Sequence, residues 1–226
     1  MKKLVSVTAI VAAIVSTSAF AQTSSAAFSG VDLGLGINQS SNTVKAGLSV
    51  VDVGGGSLDG VGKTSTNGVI AANYFFPLSP NWLLGIGGTY TLGNQKAGDA
   101  NINGSSGMGA SGSLRYKNAW SIPVTIGYAL DQRVMLYGKI SYNAMKGEAS
   151  GSFDDGSTVS SGSVSENFRG WGYGVGTRVN LSKCVFIDGS VEQIDYRSKS
   201  FSVGGGDVLS IKPTSLSGKI VVGYRF

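Results

Sequence analysis

SLSGKIVVGYRF, Ser215–Phe226, sets the pattern by which the other segments are read. Leu216, Ile220, Val222, Tyr224 and Phe226 fall on one parity, interrupted once by Gly218, while Ser217, Lys219, Val221, Gly223 and Arg225 fall on the other. Period 2 marks a strand with one apolar face. The strand ends on an aromatic that is also the last residue, and its apolar face needs a cover of lipid or of a second protein layer.

The same alternation recurs upstream. In the first strand, read from Phe28, Val31, Leu33, Leu35 and Ile37 oppose Asp32, Gly34, Gly36 and Asn38; Ile70, Ala72, Tyr74 and Phe76 share a face, as do Leu84, Ile86, Tyr90 and Leu92. A longer run carries Leu114, Tyr116, Trp120, Ile122, Val124, Ile126, Tyr128 and Leu130 on one parity, and Leu136, Ile140, Tyr142 and Ala144 follow. Trp171 to Leu181 alternates with glycines, and Val185, Ile187 and Val191 oppose Asp188, Ser190 and Glu192. With the terminal strand this makes eight. Short turns at Pro77–Asn81, Asp131–Arg133 and Ser182–Cys184 alternate with long polar stretches at Ser40–Ser65, Gly93–Ala110, Lys146–Asn167 and Lys199–Lys212, which read as loops.

A soluble sandwich would show Lys, Glu and Thr on its polar face. Here that parity holds mostly Gly, Ser and Asn, which suits a narrow interior. Tyr74, Phe76, Trp82 and Tyr128 lie near the short turns, and Tyr90, Tyr142, Trp171 and Tyr173 toward the long stretches, as two aromatic girdles. Hydrocarbon offers no partner to backbone N–H and C=O groups, so such a sheet must close on itself. The expected fold is all-β: a closed antiparallel transmembrane β-barrel of eight strands with short periplasmic turns and long extracellular loops. An apolar patch at Leu48–Val53 leaves ten strands as the alternative, and Pro123, which lacks a ladder donor, predicts a bulge.

Residues 1–21 run from Lys2 and Lys3 through an apolar segment to Ala19-Phe20-Ala21, the order of a secretory signal peptide cleaved between Ala21 and Gln22. Residues 22–226 then form the barrel domain. Loss of the two lysines lowers the formal charge from +5 to +3, too little to indicate nucleic acid. Charged residues make up only 14% of the chain, below the norm for a soluble domain. Cys184 stands alone and reads as a small turn residue.

The signal peptide, the alternating strands, SIPVTIGY (Ser121–Tyr128) and the terminal GYRF together resemble the opacity-type, OmpA/OmpX-like porin family of small Gram-negative outer-membrane β-barrels. That resemblance covers the whole mature chain and implies a place in the cell outer membrane among its lipid and lipopolysaccharide. It also implies periplasmic chaperones and the barrel-assembly machinery as biogenesis partners, with Tyr224 and Phe226 as the assembly signal. Family members serve in adhesion, envelope stability and solute passage.

Glycine-rich strings carry no chemistry here. Ser57–Thr64 lacks the first glycine of a phosphate loop, and Gly107–Gly112 matches GxGxxG but leads into strand alternation. The chain has no histidine, which removes the base that the resemblance leads one to expect in barrel lipases and proteases, and no cofactor or metal is expected. Asp188 and Glu192 leave a carboxylate site conceivable, but structural pairing is the simpler reading. A hairpin near Lys183 sets Arg178 across from Asp188, and closure brings Asp32 diagonally near Arg225. Asp32, Lys139, Arg178, Asp188, Glu192, Lys219 and Arg225 are therefore expected to fill the lumen as a polar network.

The function expected is a non-enzymatic barrel presenting four surface loops for adhesion to a host or other surface, or for envelope integrity. A narrow solute channel is the alternative, and a lipid-modifying enzyme a more remote one. Arg115, Lys117, Arg169, Arg197 and Lys199 at the outer rim suit either lipopolysaccharide phosphates or plain solvated charge. Deleting Phe226 is expected to lower the amount assembled in the outer membrane of living cells without impairing refolding in detergent. Cell fractionation beside in vitro refolding checks this; normal assembly would count against the signal role.

Overall fold

The computed structural model describes residues 24–50, 54–103, 109–154, 159–204 and 207–226. The signal segment and its cleavage residues, Ala21 and Gln22, lie outside the described residues, as do Val51–Val53 of the apolar patch. A 3₁₀ turn, Ser24–Phe28, precedes ten strands: β1 Gly30–Val50, β2 Gly54–Pro77, β3 Trp82–Thr91, β4 Gln95–Asn103, β5 Gly109–Ala129, β6 Val134–Asp154, β7 Val159–Asn180, β8 Val185–Tyr196, β9 Lys199–Gly204 and β10 Asp207–Arg225.

All pairings are antiparallel, in the order β1-β2-β3-β5-β6-β7-β8-β10, and β1 pairs β10 to close the ring. The ring therefore has eight staves. β4 continues the line of β3 along β5, and β9 continues β8 along β10. The ten elements come from two interrupted staves, at 92–94 and 197–198, with no additional crossing.

Side-chain parity sorts as period 2 requires. Leu35 is 65% exposed while Asp32 is fully buried, and the outward set of Val, Leu, Ile and aromatic residues forms a continuous apolar belt. Trp82 stacks edge-on against Tyr128 (5.0 Å) and Tyr224 against Phe226 (5.0 Å) at the short-turn end; Trp120, Tyr142 and Trp171 form a row at the other. The turns are tied locally: Asp131 Oδ1 accepts from the amides of Arg133 and Val134 (both 2.7 Å), and Ser79 Oγ from that of Trp82 (3.2 Å).

Four expectations are corrected. First, the polar stretches are largely strand, not loop. β1 to Val50 and β2 from Gly54 stay in ladder from Ile37↔Gly68 up to Val50↔Gly54, and β6 pairs β7 up to Asp154↔Val159. A crossing needs only about 9–11 residues, so strands of 21 to 24 residues carry the sheet well beyond the lipid. Low propensity in Ser, Gly and Asn is overridden because a neighbour already in register supplies the partners. Second, no register shift occurs at Pro123, which pairs with Ser141. Its ladder to β3 lapses between Ile86↔Val124 and Thr89↔Ser121, so its missing donor costs no slip.

Third, the bulge sits at Lys117–Trp120, where Asn118 adopts φ 51°. The bulge reverses parity and turns Tyr116, expected on the lipid face, into the interior. Fourth, Phe28 does not begin the first strand. It is buried from the 3₁₀ turn into the short-turn mouth, among Phe75, Leu83, Ala129, Met135 and Tyr137.

The inward glycines answer to the tight bore. A Cβ on Gly36 would collide with the Ile220 carbonyl, and one on Gly172 with Glu192, Ser141 and Asn143; one on Gly138, which faces lipid, meets nothing within 4 Å. Gly36→Ala is expected to lose about 1–3 kcal/mol and Gly138→Ala almost nothing. Urea unfolding in detergent micelles checks the contrast.

Candidate functional site: the charged layer inside the barrel

The lumen is filled in layers. Nearest the short turns lies the apolar stopper around Phe28. Farthest out, Val44, Ala97, Tyr116, Met145, Phe168, Ile194 and Tyr196 form a second apolar cluster, with Tyr116 and Phe168 edge-on at 6.4 Å. Between the two lie the charges.

β1, β7, β8 and β10 aim Asp32, Arg178, Asp188 and Arg225 at one level. Asp32 and Arg225 are direct register partners, closer than the diagonal placement expected, and join at 3.1 Å. Arg178 and Asp188 are also directly opposed. Arg178 donates from Nε to Asp188 (3.0 Å) and from Nη1 to Asp32, and its Cζ lies 4.1 Å from the Phe186 ring centre and 4.6 Å from that of Phe75. Its side chain is only 2% exposed. Tyr137 donates its hydroxyl to Asp188 (2.6 Å). Arg225 reaches the carbonyl of Ala27 from Nη1 and Asn180 Oδ1 from Nη2 (3.2 Å), which ties the 3₁₀ turn to the layer.

One level farther out, Glu192 takes Lys139 at 2.8 Å and Lys219 at 3.8 Å, and accepts from Ser141 Oγ. Lys139 also donates to Ser190 Oγ (3.1 Å), and Asn143 Nδ2 to Ser141 Oγ (2.6 Å). Neutral pairs continue the filling: Ser217 donates to Asn38 (2.6 Å) and Ser40 to Gln95 (3.1 Å). All seven residues singled out from sequence thus lie in two adjoining ion-paired groups. Asp188 and Glu192 do not act on each other; each carboxylate is held by its own cation.

Sequence reading put Tyr137, Ser141, Asn143, Asn180 and Ser190 on the inward parity but left them out of the network, and it missed the aromatic pair Phe75 and Phe186. A signal existed for some: the β7 glycines 172 and 176 leave space that the side chains of Ser141, Asn143 and Tyr137 occupy. The Ala27 carbonyl carried none, because a backbone acceptor has no residue type. Of the glycine-rich strings, residues 57–64 lie within β2 and 109–112 within β5; Gly107 and Met108 are outside the described residues.

A closed eight-stave ring, a lipid-facing belt and a side-chain-filled bore go together with a family match. The family model for the outer membrane protein beta-barrel domain spans residues 7–226. The chain belongs to that family. Its place is the Gram-negative outer membrane, with the short turns toward the periplasm. The outer membrane protease OmpT of Escherichia coli shares the fold at 10% identity, TM-score 0.50, with 87% of this chain and 97% of that one covered. Ail, the attachment invasion locus protein of Yersinia pestis, matches at 19% identity and TM-score 0.43 over 88% and 99%. OprG of Pseudomonas aeruginosa matches at 12% and 0.47 over 88% and 96%. No curated protein matches the chain.

Within this outer-membrane barrel the charged layer has a clear energetic sign. Truncating Arg178 would leave Asp188 without a cation inside the closed bore, whereas removing the Arg178 and Asp188 charges together would not, because Asp32 keeps Arg225. Arg178→Ala is expected to cost about 3–5 kcal/mol, and the double change R178M/D188N markedly less. Heat-modifiability on gels and urea unfolding separate the two outcomes.

Proposed function

We propose that this protein is a non-enzymatic surface barrel with a sealed lumen, whose projecting hairpins meet a host or other external surface or support the envelope. The observation that carries this reading is Arg178, buried toward the periplasmic end of the lumen and held by Asp32 and Asp188 between the rings of Phe75 and Phe186. Apolar layers close the bore on both sides of it. A solute would have to displace all three layers. The same bonds speak against catalysis, since each lumen carboxylate is engaged by a cation and no histidine is present to move a proton.

The hairpins are built to be presented. Beyond Val69↔Thr91 no ladder joins β2 to β4, and beyond Gly170↔Tyr196 none joins β7 to β9, among the described residues. The sheet therefore divides into two blades, β2-β1-β10-β9 and β4-β5-β6-β7, bridged across one gap by Ser65 Oγ on the Lys96 backbone and across the other by the Lys199–Glu166 ion pair. Tyr224 and Phe226, outward at the periplasmic end, serve the assembly machinery in this reading, with chaperones delivering the unfolded chain.

The purified protein is expected to show no stable conductance in planar bilayers; a large steady conductance would overturn the sealed lumen and favour the narrow channel. Shortening the β1–β2 and β6–β7 hairpins should leave heat-modifiable folding intact while reducing attachment of cells to coated surfaces. Unchanged attachment would remove the adhesive role and leave envelope support.

A further inference from the structure

The outer aromatic girdle runs only part of the way round the barrel. Trp120 on β5, Tyr142 on β6 and Trp171 on β7 mark its height, with Tyr90 of β3 beside Trp120. Ladder steps locate the same height on the other staves. From Ser40 the line of partners passes Ser217 and Glu192, continues round the ring to Phe75, and returns to β1 at Gly30, ten residues below its start. Strand tilt produces that stagger, about 1.25 residues per step over eight staves. Gln39 lies in line with Gly218 and Val191, and two steps of tilt raise its level on β8 to Gln193. A third step, on from Val191 to Val175 of β7, raises it to Trp171.

At girdle height, then, the wall made by β8, β10 and β1 presents Gln193, Leu216 and Gln39 where the opposite wall presents aromatics. Gln39 is exposed and Gln193 half-buried, and neither side chain has a hydrogen-bond partner among the described residues. A carboxamide carries two N–H donors and an acceptor oxygen, and against lipid these go unmet at a cost. One outward position above Gln193 stands Asp195, exposed and without an ion pair among the described residues, and one above Gln39 stands Ser41. Lower on the same wall Leu35 projects, 65% exposed. The same count sets Gly189 of β8 at its level, where a Cβ would meet nothing within 4 Å.

We propose that the wall β8-β10-β1 is an in-membrane interface for a second copy of this chain, related by a two-fold axis that runs along the membrane normal through β10. Under that rotation a residue on β8 meets the residue of equal height on β1 of the other copy. Gln193 then faces Gln39 of the second copy, Asp195 faces its Ser41, and Leu35 enters the hollow over its Gly189, each contact occurring twice. Hydrogen-bonding side chains within the membrane favour association because lipid offers them no alternative partner. Self-complementarity selects a second copy over an unrelated membrane protein: donors meet acceptors, and a projection meets a hollow, from one and the same surface. The inference goes beyond the surface role proposed above and needs only the membrane placement.

Cysteines introduced in a Cys184→Ser background test the geometry in isolated outer membranes treated with an oxidant. Cells co-expressing differently tagged Q39C and Q193C chains are expected to yield a disulfide-linked heterodimer. Either chain expressed alone should yield none, because like positions stand about 10 Å apart, two strand spacings, and a disulfide spans at most about 7 Å between Cα atoms. The pair I126C and V175C, on the opposite wall, should also yield none. Equal yields from that pair, which mean collision, overturn the proposal, as does a product containing a different protein or the absence of the 39–193 product from heat-modifiable chains. Donor and acceptor dyes on Cys184 of the otherwise unaltered chain cover variants that do not assemble. In phosphatidylcholine vesicles their energy transfer should survive dilution with excess lipid, and transfer at the level of random mixing would overturn the interface. In the same assay Q39L/Q193L is expected to associate about tenfold more weakly, the worth of two hydrogen-bonded pairs in a membrane; undiminished association would overturn the glutamine pairing.

Discussion

Closure of β1 on β10 is the interaction on which the other features depend. In hydrocarbon an unpaired N–H or C=O has no solvent to turn to, so the seam running from Asp32↔Arg225 to Ser49↔Val208 is what makes the crossing possible. The last residue extends it: the Phe226 amide donates to the Val31 carbonyl at 2.9 Å. With the seam shut, eight staves enclose a bore that side chains alone can fill. The arginine-carboxylate layer follows from that geometry, because the residues that close the seam, Asp32 and Arg225, are also the ones that face inward at its lower end.

The charged layer shows how a narrow bore handles polar groups. Each buried charge has a partner, four cations sharing three carboxylates, and rings of Phe75 and Phe186 flank the Arg178 guanidinium, which is weakly hydrated and stacks on aromatic faces. Such a group is costly to disturb by halves. Apolar clusters at either end keep water from competing for its bonds. The 3₁₀ turn, short as it is, takes part by lending the Ala27 carbonyl to Arg225 and Asn180 and the Phe28 ring to the stopper. What remains for contact with the outside is the wall itself: the lipid belt and the two blades beyond it.

Much of this was legible in the residues. The alternation at Val31–Ile37, at Trp171–Leu181 and in the final strand determined which side chains meet lipid, since period 2 leaves only two faces and only one of them is apolar. Parity likewise chose the lumen residues, and the short turns around Asp131 and Ser182 fixed the hairpin partners, so Arg178 facing Asp188 could be read by counting outward from a turn. The even number of crossings followed from the same count.

Tertiary structure alone decided what depends on a neighbouring stave. Polar Ser, Gly and Asn runs give no strand signal of their own, and only the partner's register extends β1 and β2 past the lipid. A single left-handed residue, Asn118, reversed the parity of Tyr116, which no periodicity can reveal because the bulge is the break in the period. The pairing of Arg169 with Arg197 and of Lys117 with Lys146 is likewise invisible in sequence, since those residues lie 28 and 29 positions apart and meet only through the ladder. Sequence settled the face of the side chains outside that bulge; the closed sheet settled which side chains share a level, because height in a barrel is set by register and register is a property of pairs.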